Sequence, residues 1–365
     1  MQPRIYLSPP YLTQKESVLV QEALASNWVA PTGPFISEFE ANICNYTGAA
    51  ACAATITGTS AIHLALILAG VQTGDSVVLP TFTFAATVNP VFYCGATPIF
   101  IESESATWGM CPDTLRTALL TMKKLPKAII VVHPYGNAAH IEELGNIAHE
   151  FNITLIEDAA AALGTLFKGR QVGTFGAMGV FSFNGNKIIT TSQGGALIAN
   201  DATLIEKAKH ISMQAKVSGI GFEHDSVGYN YRMSNVLAAI GIAQLETIDE
   251  RIAQKRKTHD QYQNTLQNFN ITFVDEIPET RYNRWLTNVL FENEEQVLKV
   301  SQILLNQRIE CRRLWKPLHT QAFCSSFEYF GNEMSGNFYK KGLSLPSGIG
   351  LLENEVNDIC DLIIK

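Results

Sequence analysis

Residues 128–158, AIIVVHPYGNAAHIEELGNIAHEFNITLIED, contain the pattern that decides the fold. The apolar runs at 128–133 and 153–157 predict two short strands, and the spacing of apolar residues at 141–151 predicts a helix between them. Hydrophobicity in both runs is continuous rather than alternating, which is typical of strands buried on both faces. The segment therefore predicts an α/β fold with a mostly parallel sheet covered by helices.

The same alternation extends over much of the chain. Further strands are predicted at 76–80, 97–101, 179–183, 195–199 and 308–312, and further helices at 60–69, 112–122 and 235–250. At 365 residues the chain exceeds the size at which a single core usually stops growing. We therefore expect two domains, a large one over residues 1–250 and a smaller α+β domain over residues 251–365.

Composition and charge limit the class of protein. The chain is 46% hydrophobic and 17% charged, which allows a large core, and its net charge of -7 argues against nucleic acid or an anionic membrane as the main partner. Its seven cysteines are scattered without a Cys-x-x-Cys pair, which favours reduced thiols over disulfides or a metal site. No apolar run of about 18 residues and no signal-peptide pattern is found, so we expect a cytoplasmic protein without a membrane span.

Lys187 lies in the stretch 181–195, FSFNGNKIITTSQGG, among aromatic, β-branched and glycine residues. A partly desolvated lysine loses its proton more easily and attacks carbonyl carbons, which is how Schiff-base lysines arise. Asp158 also follows a predicted strand, and functional groups gather beyond strand ends in open α/β sheets. The two side chains either form a simple ion pair or supply the carboxylate and the lysine that pyridoxal phosphate requires. A strand-end lysine that reaches into solvent is a further alternative.

A phosphate site and a flat ring would complete such a cofactor site. Thr59 and Ser60 follow a glycine in the segment 57–66, TGTSAIHLAL, and lie in the first turn of a predicted helix, whose free N–H groups attract anions. Ser182 is a further phosphate donor, and Phe84 offers the ring. The alternatives are an ordinary helix cap for the hydroxyl residues and core packing for Phe84.

Four motifs follow one another along the chain: Gly-Thr-Ser before a helix (58–60), Pro-x-Phe-Thr-Phe (80–84), Glu-Asp-Ala-Ala (157–160) and Phe-Ser-Phe-Asn-Gly-Asn-Lys (181–187). In this order they resemble the pyridoxal-phosphate sugar aminotransferases of the DegT/DnrJ/EryC1/StrS family. The likeness covers nearly the whole chain, including the segments 26–29, 228–235 and 314–319. It implies aminotransferase fold type I, with pyridoxal 5'-phosphate as the cofactor.

The resemblance also implies roles for individual residues. Lys187 becomes the lysine that bonds to the cofactor, and Asp158 becomes the partner of its pyridine nitrogen. Asn230 reaches the phosphate site of a neighbouring subunit, which implies a homodimer with shared active sites. The remaining cofactor ligands are the phosphate donors and the stacking ring: Thr59, Ser60, Ser182 and Phe84.

Trp28, Arg312, Trp315 and His319 fall where the family binds its nucleotide sugar, and packing within the small domain is the alternative for the last three. Two positions depart from the family pattern. Ala161 replaces a Gln, His or Glu near the hydroxyl of the cofactor, so a water or another side chain serves there or the contact is absent. An expected Arg-Pro pair reads Arg-Arg at 312–313, which adds a charge near the predicted sugar-nucleotide site.

Within the family, the segment 184–191, NGNKIITT, and Ser-Pro-Pro at 8–10 resemble most closely the enzymes of the bacillosamine pathway. This implies transfer of an amino group from glutamate to C4 of UDP-4-keto-6-deoxy-N-acetylglucosamine for bacterial glycan biosynthesis, with a dTDP- or GDP-linked keto sugar as the alternative. Two other interpretations stay open. One is a pyridoxamine-dependent sugar dehydratase, whose relatives carry histidine where Lys187 stands; the other is a non-catalytic regulator, for which Ala161 is the only hint.

Overall fold

The computed structural model describes residues 3–365 of the chain. In this range it forms twelve α-helices: α1 (Gln14–Ala25), α2 (Pro34–Thr47), α3 (Gly58–Leu68), α4 (Ala85–Tyr93), α5 (Pro112–Thr121), α6 (Ile141–Glu150), α7 (Ala202–Ser212), α8 (Asn235–Glu246), α9 (Ile248–Leu266), α10 (Glu294–Asn306), α11 (Met334–Lys341) and α12 (Glu353–Ile364). The same residues form fifteen strands: β1 (Ala51–Thr55), β2 (Ser76–Pro80), β3 (Thr97–Ile101), β4 (Ala128–Val132), β5 (Thr154–Asp158), β6 (Leu166–Phe167), β7 (Arg170–Gln171), β8 (Met178–Ser182), β9 (Gly195–Ala199), β10 (Thr272–Phe273), β11 (Thr280–Arg281), β12 (Thr287–Leu290), β13 (Arg312–Arg313), β14 (Tyr329–Phe330) and β15 (Gly342–Leu345).

Eight strands form the central sheet, in the order β1-β9-β8-β5-β4-β2-β3-β14. The strands from β8 to β14 run parallel to their neighbours, whereas β9 is antiparallel to β8 and β1 is antiparallel to β9. Alternate residues of β4 pack into two separate apolar clusters, Ile129 and Val131 into one, and Ala128 and Ile130 into the other. Both faces of the sheet are therefore covered, which confirms the predicted α/β fold with a mostly parallel sheet.

Most bounds of the elements predicted from the sequence agree with the structure to within two residues, and the differences have local causes. The predicted helix over 235–250 is two helices, because the chain breaks at Thr247 between α8 and α9. The predicted strand over 308–312 was wrong. Arg308 has a left-handed backbone with φ +57, Ile309 forms only an isolated parallel bridge with Ile5, and a strand begins at Arg312, where β13 starts.

A second sheet lies in the C-terminal part of the chain, with the strand order β10-β12-β15-β13. Residues of this sheet and of α9, α10 and α12 share a separate apolar cluster, which includes Val289, Leu304 and Ile359. β14 does not join this sheet; it pairs with β3 at the edge of the central one. A third, three-stranded sheet has the order β11-β6-β7. The division into residues 1–250 and 251–365 stays a prediction, and its boundary falls within the first turn of α9.

A segment near the N-terminus connects distant parts of the fold. The N–H of Ser347 donates to the carbonyl of Leu7 at 2.7 Å. The hydroxyl of Ser8 donates to the carbonyl of Asn186 at 3.3 Å. This segment therefore contacts both the C-terminal part of the chain and the loop that carries Lys187.

Helix α9 carries a stripe of buried basic side chains. Arg251, Lys255 and His259 are spaced four residues apart and are 3%, 1% and 2% exposed. Lys257 lies between them, but 67% of its side chain is exposed. A spacing of four residues places side chains on one face of a helix. One face of this charged helix is therefore buried. No helix within residues 3–365 is long and apolar enough to cross a membrane.

Candidate active site

A cavity of about 510 Å³ opens at the carboxyl ends of the parallel strands. His133 follows β4, Asp158 ends β5 and Ser182 ends β8, and all three line the cavity. They meet because neighbouring parallel strands end at the same edge of a sheet. Trp285 and Trp315, from the C-terminal part of the chain, also line it.

Asp158 is a buried carboxylate, 5% exposed. The hydroxyl of Thr87 donates to its Oδ2 at 2.7 Å, and the N–H of Ala160 donates to its Oδ1 at 3.1 Å. Burial raises the pKa of Asp158, while these hydrogen bonds and the charge of Lys187 act in the opposite direction. A carboxylate held in this way can bind a positively charged or proton-donating nitrogen of a ligand.

Lys187 lies in the loop that follows β8. The residue is half-buried because it faces the cavity, and burial of its amine lowers the pKa to about 8, against the opposing charge of Asp158. Among the described residues, Lys187 and Asp158 form no direct ion pair and act on each other only through their charges at longer range. The simple ion pair considered from the sequence is therefore wrong, and a neutral amine is within reach near physiological pH.

The first turn of α3 borders the same cavity. The hydroxyl oxygen of Thr57 accepts a hydrogen bond from the N–H of Ser60 at 3.0 Å and lies 2.8 Å from the Ser60 hydroxyl. Thr59 lines the cavity, whereas Ser60 is engaged in this cap and lies outside the lining. The free N–H groups and the dipole of the helix make this end a site for an anion such as phosphate.

Two glycines allow β8 and β9 to approach this turn. A Cβ atom at Gly58 would lie 3.1 Å from the Cβ of Ser182, and a Cβ atom at Gly195 would lie 2.5 Å from the backbone nitrogen of Gly58. The absence of these side chains brings Ser182 next to the start of α3. The predicted phosphate donors Thr59 and Ser182 therefore line one part of the cavity.

Aromatic rings border the cavity as well. Phe84 precedes α4 and is 62% exposed, so the core packing considered for it from the sequence is wrong. Its exposed ring at the cavity offers a flat apolar face to a ligand. Trp315 stacks on Tyr135, with ring centroids 3.9 Å apart, and the backbone N–H of Trp315 donates to the Tyr135 hydroxyl at 2.8 Å.

Arg312 does not reach the cavity. Its side chain is 69% exposed and pairs with Glu310 at 2.8 Å. Arg313 pairs with Glu294 at 2.6 Å, so the additional charge expected near the substrate is neutralised within the C-terminal part of the chain. The role of Arg312 in substrate binding stays a prediction.

Three further predicted residues also lie outside the cavity lining. His319 shares a hydrogen bond of 2.6 Å with the hydroxyl of Thr81. Trp28 is half-exposed, and Asn230 is exposed in the segment after α7. Their roles stay predictions, since the contact expected of Asn230 is with a neighbouring subunit.

Sequence reasoning missed Thr87 and Trp285. Thr87 lies three residues after Phe84, about one helical turn further along the chain. This spacing from the predicted stacking ring could have indicated Thr87. No local sequence pattern indicates that Trp285 belongs to the site, because it lies far from Lys187 along the chain. Ala161 lines the cavity without a polar side chain, and the same lining contains the polar side chains of Asn184, Asn186 and Gln193.

These groups fit what pyridoxal phosphate requires of a protein: an amine with a lowered pKa, a buried carboxylate, a helix end for the phosphate and an exposed aromatic face around one cavity. The fold and the site together define a pyridoxal-phosphate enzyme of aminotransferase fold type I.

The chain belongs to the DegT/DnrJ/EryC1/StrS aminotransferase family, whose sequence profile matches residues 10–364. It is 43% identical to a putative pyridoxal phosphate-dependent aminotransferase, EpsN, of Bacillus subtilis, over 100% of this chain and 96% of that protein. It is 36% identical to a GDP-perosamine synthase of Escherichia coli O157:H7, over 97% of this chain and 96% of that protein. A solved family aminotransferase from Brucella abortus superimposes with a TM-score of 0.90 at 25% identity, over 96% of this chain and 94% of that one. The predicted aminotransferase class and the predicted cofactor are confirmed.

Proposed function

We propose that the enzyme transfers the amino group of glutamate to the C4 ketone of UDP-4-keto-6-deoxy-N-acetylglucosamine, in the cytoplasm and for glycan synthesis. The observation that carries the proposal is the single cavity that brings together Lys187, Asp158 and the first turn of α3. The identity to a GDP-perosamine synthase supports a nucleotide-linked sugar as the acceptor. The segment 184–191 and the Ser-Pro-Pro at 8–10 support the UDP-linked N-acetyl sugar.

Bound pyridoxal phosphate supplies an electron sink beside the α-carbon of the donor. Lys187 would hold the cofactor through Nζ, and Asp158 would keep the ring nitrogen protonated. The first turn of α3 and Ser182 would hold the phosphate, and Phe84 would offer its face to the ring. When the Lys187 amine is free, its Nζ takes a proton from the α-carbon of glutamate; in the second half of the reaction it delivers a proton to C4 of the sugar. A pKa of about 8 suits both directions, since the amine is then partly neutral at physiological pH.

Substitution of the lysine tests this assignment. Lys187→Arg keeps the positive charge but cannot bond to the cofactor, so we expect kcat to fall by about 10³-fold or more. The control is Lys168→Arg, at an exposed lysine paired with Glu142, which should leave kcat unchanged. Turnover in Lys187→Arg comparable with the wild type would contradict the assignment.

A screen of acceptors tests the sugar. The purified holoenzyme is first converted by glutamate, and UDP-, dTDP- and GDP-linked 4-keto-6-deoxy sugars are then added separately while the visible absorption of the lysine-bound cofactor is followed. We expect the UDP-linked N-acetyl sugar to restore the absorption fastest. A faster response to the GDP-linked sugar would favour the second candidate, a perosamine-forming enzyme like the relative from Escherichia coli.

A homodimer with shared active sites is also proposed. Phe222 and Val227 precede Asn230 in the chain and are 85% and 80% exposed, and a second subunit that covered them would remove this apolar surface from water. Co-expression of Lys187→Ala and Asn230→Ala chains tests the sharing. In a mixed dimer one site contains both altered residues and the other contains neither, so about a quarter of the wild-type activity should return. No recovery in a mixture shown to be dimeric would exclude a role for Asn230 in the partner's site.

A further inference from the structure

We propose that Trp285 is a positioning residue whose indole face holds the Lys187 amine in the cavity whenever that amine is not bonded to the cofactor. The inference rests on the proposed role of Lys187. Trp285 is 4% exposed, and the Nζ of Lys187 lies 4.1 Å from the centroid of its ring. An ammonium group over the face of an indole is attracted by the negative face of the ring, and the attraction is strongest where water is excluded.

The indole ring is held in place on several sides. Its Nε1–H donates to the carbonyl of Asn186 at 2.5 Å, in the same loop as Lys187. The backbone N–H of Trp285 donates to the Oδ1 of Asn283 at 2.9 Å, and the carbonyl of Trp285 accepts a hydrogen bond from the Nζ of Lys255 at 2.9 Å. The ring also lies nearly parallel to that of Tyr135, at 21° and 6.2 Å between centroids.

A free lysine side chain needs such a partner in this reaction. Its four-carbon stem is flexible, and each turnover releases the amine once and leaves it free through both halves of the reaction. The charge that acts directly on it is Asp158. His133 acts on Asp158, and Lys255 lies on the main-chain side of Trp285. Among these groups, the indole face is the one within contact distance of the Lys187 amine.

The test follows covalent capture of pyridoxal phosphate by the apo protein between pH 6 and pH 10, because the capture rate reports the neutral fraction of the Lys187 amine. In the wild type the inflection should lie near pH 8. The ring stabilises the charged amine, so Trp285→Leu should lower the inflection by about one pH unit. In the holoenzyme we expect kcat to fall by about tenfold to a hundredfold with KM for glutamate little changed, because the amine is no longer held in place.

Two further variants keep the result interpretable. Trp285→Phe retains a weaker ring face and should shift the inflection in the same direction by less; this variant decides the matter if Trp285→Leu does not fold. Trp108→Phe is the matched control, because Trp108 is 2% exposed and stacks on Phe338 outside the cavity lining. Its inflection and kcat should equal those of the wild type.

The proposal is overturned if folded Trp285 variants keep the wild-type inflection and kcat, or if Trp108→Phe shifts the inflection equally. Lys187→Ala separates this failure from that of the proposed function. Capture of the cofactor by Lys187→Ala at the wild-type rate would overturn the role of Lys187 itself, and with it the role of Trp285. Loss of capture in Lys187→Ala together with an unshifted Trp285→Leu would overturn the role of Trp285 alone.

Discussion

Replacement of Lys255 by methionine should change how the stability of the protein depends on pH. The Lys255 ammonium donates to the carbonyls of Trp285 at 2.9 Å and Ser347 at 2.7 Å, and to the hydroxyl of Ser8 at 3.3 Å. Burial, and then repulsion from Arg251, lowers its pKa to about 7. Methionine has a similar length and binds no proton, so Lys255→Met removes this titration from the folded state.

The sign and size of the effect follow from proton binding. In the unfolded chain a lysine keeps its proton up to a pH of about 10.4. Between pH 7 and pH 9 the unfolded state therefore holds more protons than the folded state, and the free energy of unfolding rises with pH. With a folded pKa of about 7, the contribution of Lys255 over this interval integrates to about 2 kcal/mol. Lys255→Met should lack this increment.

The assay is urea unfolding of the wild type, Lys255→Met and Lys257→Met at pH 7, 8 and 9. Lys257 lies on the same helix, but 67% of its side chain is exposed and it pairs with Glu353, so its replacement should leave the increment unchanged. Lys187 contributes an increment of its own, which is common to all three proteins and cancels in the comparison. A rise in stability of Lys255→Met equal to that of the wild type would refute the reasoning.

Two further predictions concern the support of the site. Thr87→Val deprives the buried Asp158 of a charge-assisted hydrogen bond of 2.7 Å. We expect kcat to fall by about tenfold to a hundredfold, and the acidic limb of its pH profile to move to higher pH because the pKa of Asp158 rises. An acidic limb that did not move would contradict the assignment. Gly195→Ala places a Cβ atom 2.5 Å from the backbone nitrogen of Gly58. It should lower the free energy of unfolding, measured by heat or urea, by about 1–3 kcal/mol and should weaken cofactor binding. Gly221→Ala is the control, because its Cβ atom meets nothing within 4 Å, and it should change neither quantity.

The central strands were predictable because a sheet covered on both faces needs continuous apolar runs, as at 128–132. Strand β1, Ala51–Thr55, escaped prediction for the opposite reason: its sequence, ACAAT, has little intrinsic preference for a strand. It forms through antiparallel pairing with β9, far along the chain. A strand of small residues that forms through a distant partner therefore shows no apolar run of its own by which to predict it.

The same distinction applies to the site. Lys187, Asp158 and Thr59 each adjoin a strand end or a helix start, positions that a local pattern reveals. Trp285 reaches Lys187 only through packing between distant segments. Ser60, in turn, bonds to the hydroxyl of its own helix cap, and no local pattern shows which of several partners a short hydroxyl side chain will choose.

The hydrogen bonds around Ser8 constrain the order in which the protein matures during translation. Ser8 is synthesised early, but the carbonyl of Asn186 gains its second donor only with Trp285, and the carbonyl of Leu7 gains its donor only with Ser347. A nascent chain therefore carries the Lys187 loop without its full support until residue 347 has left the ribosome. Fragments that stop earlier are expected to be substrates for chaperones and proteases rather than partly active enzymes.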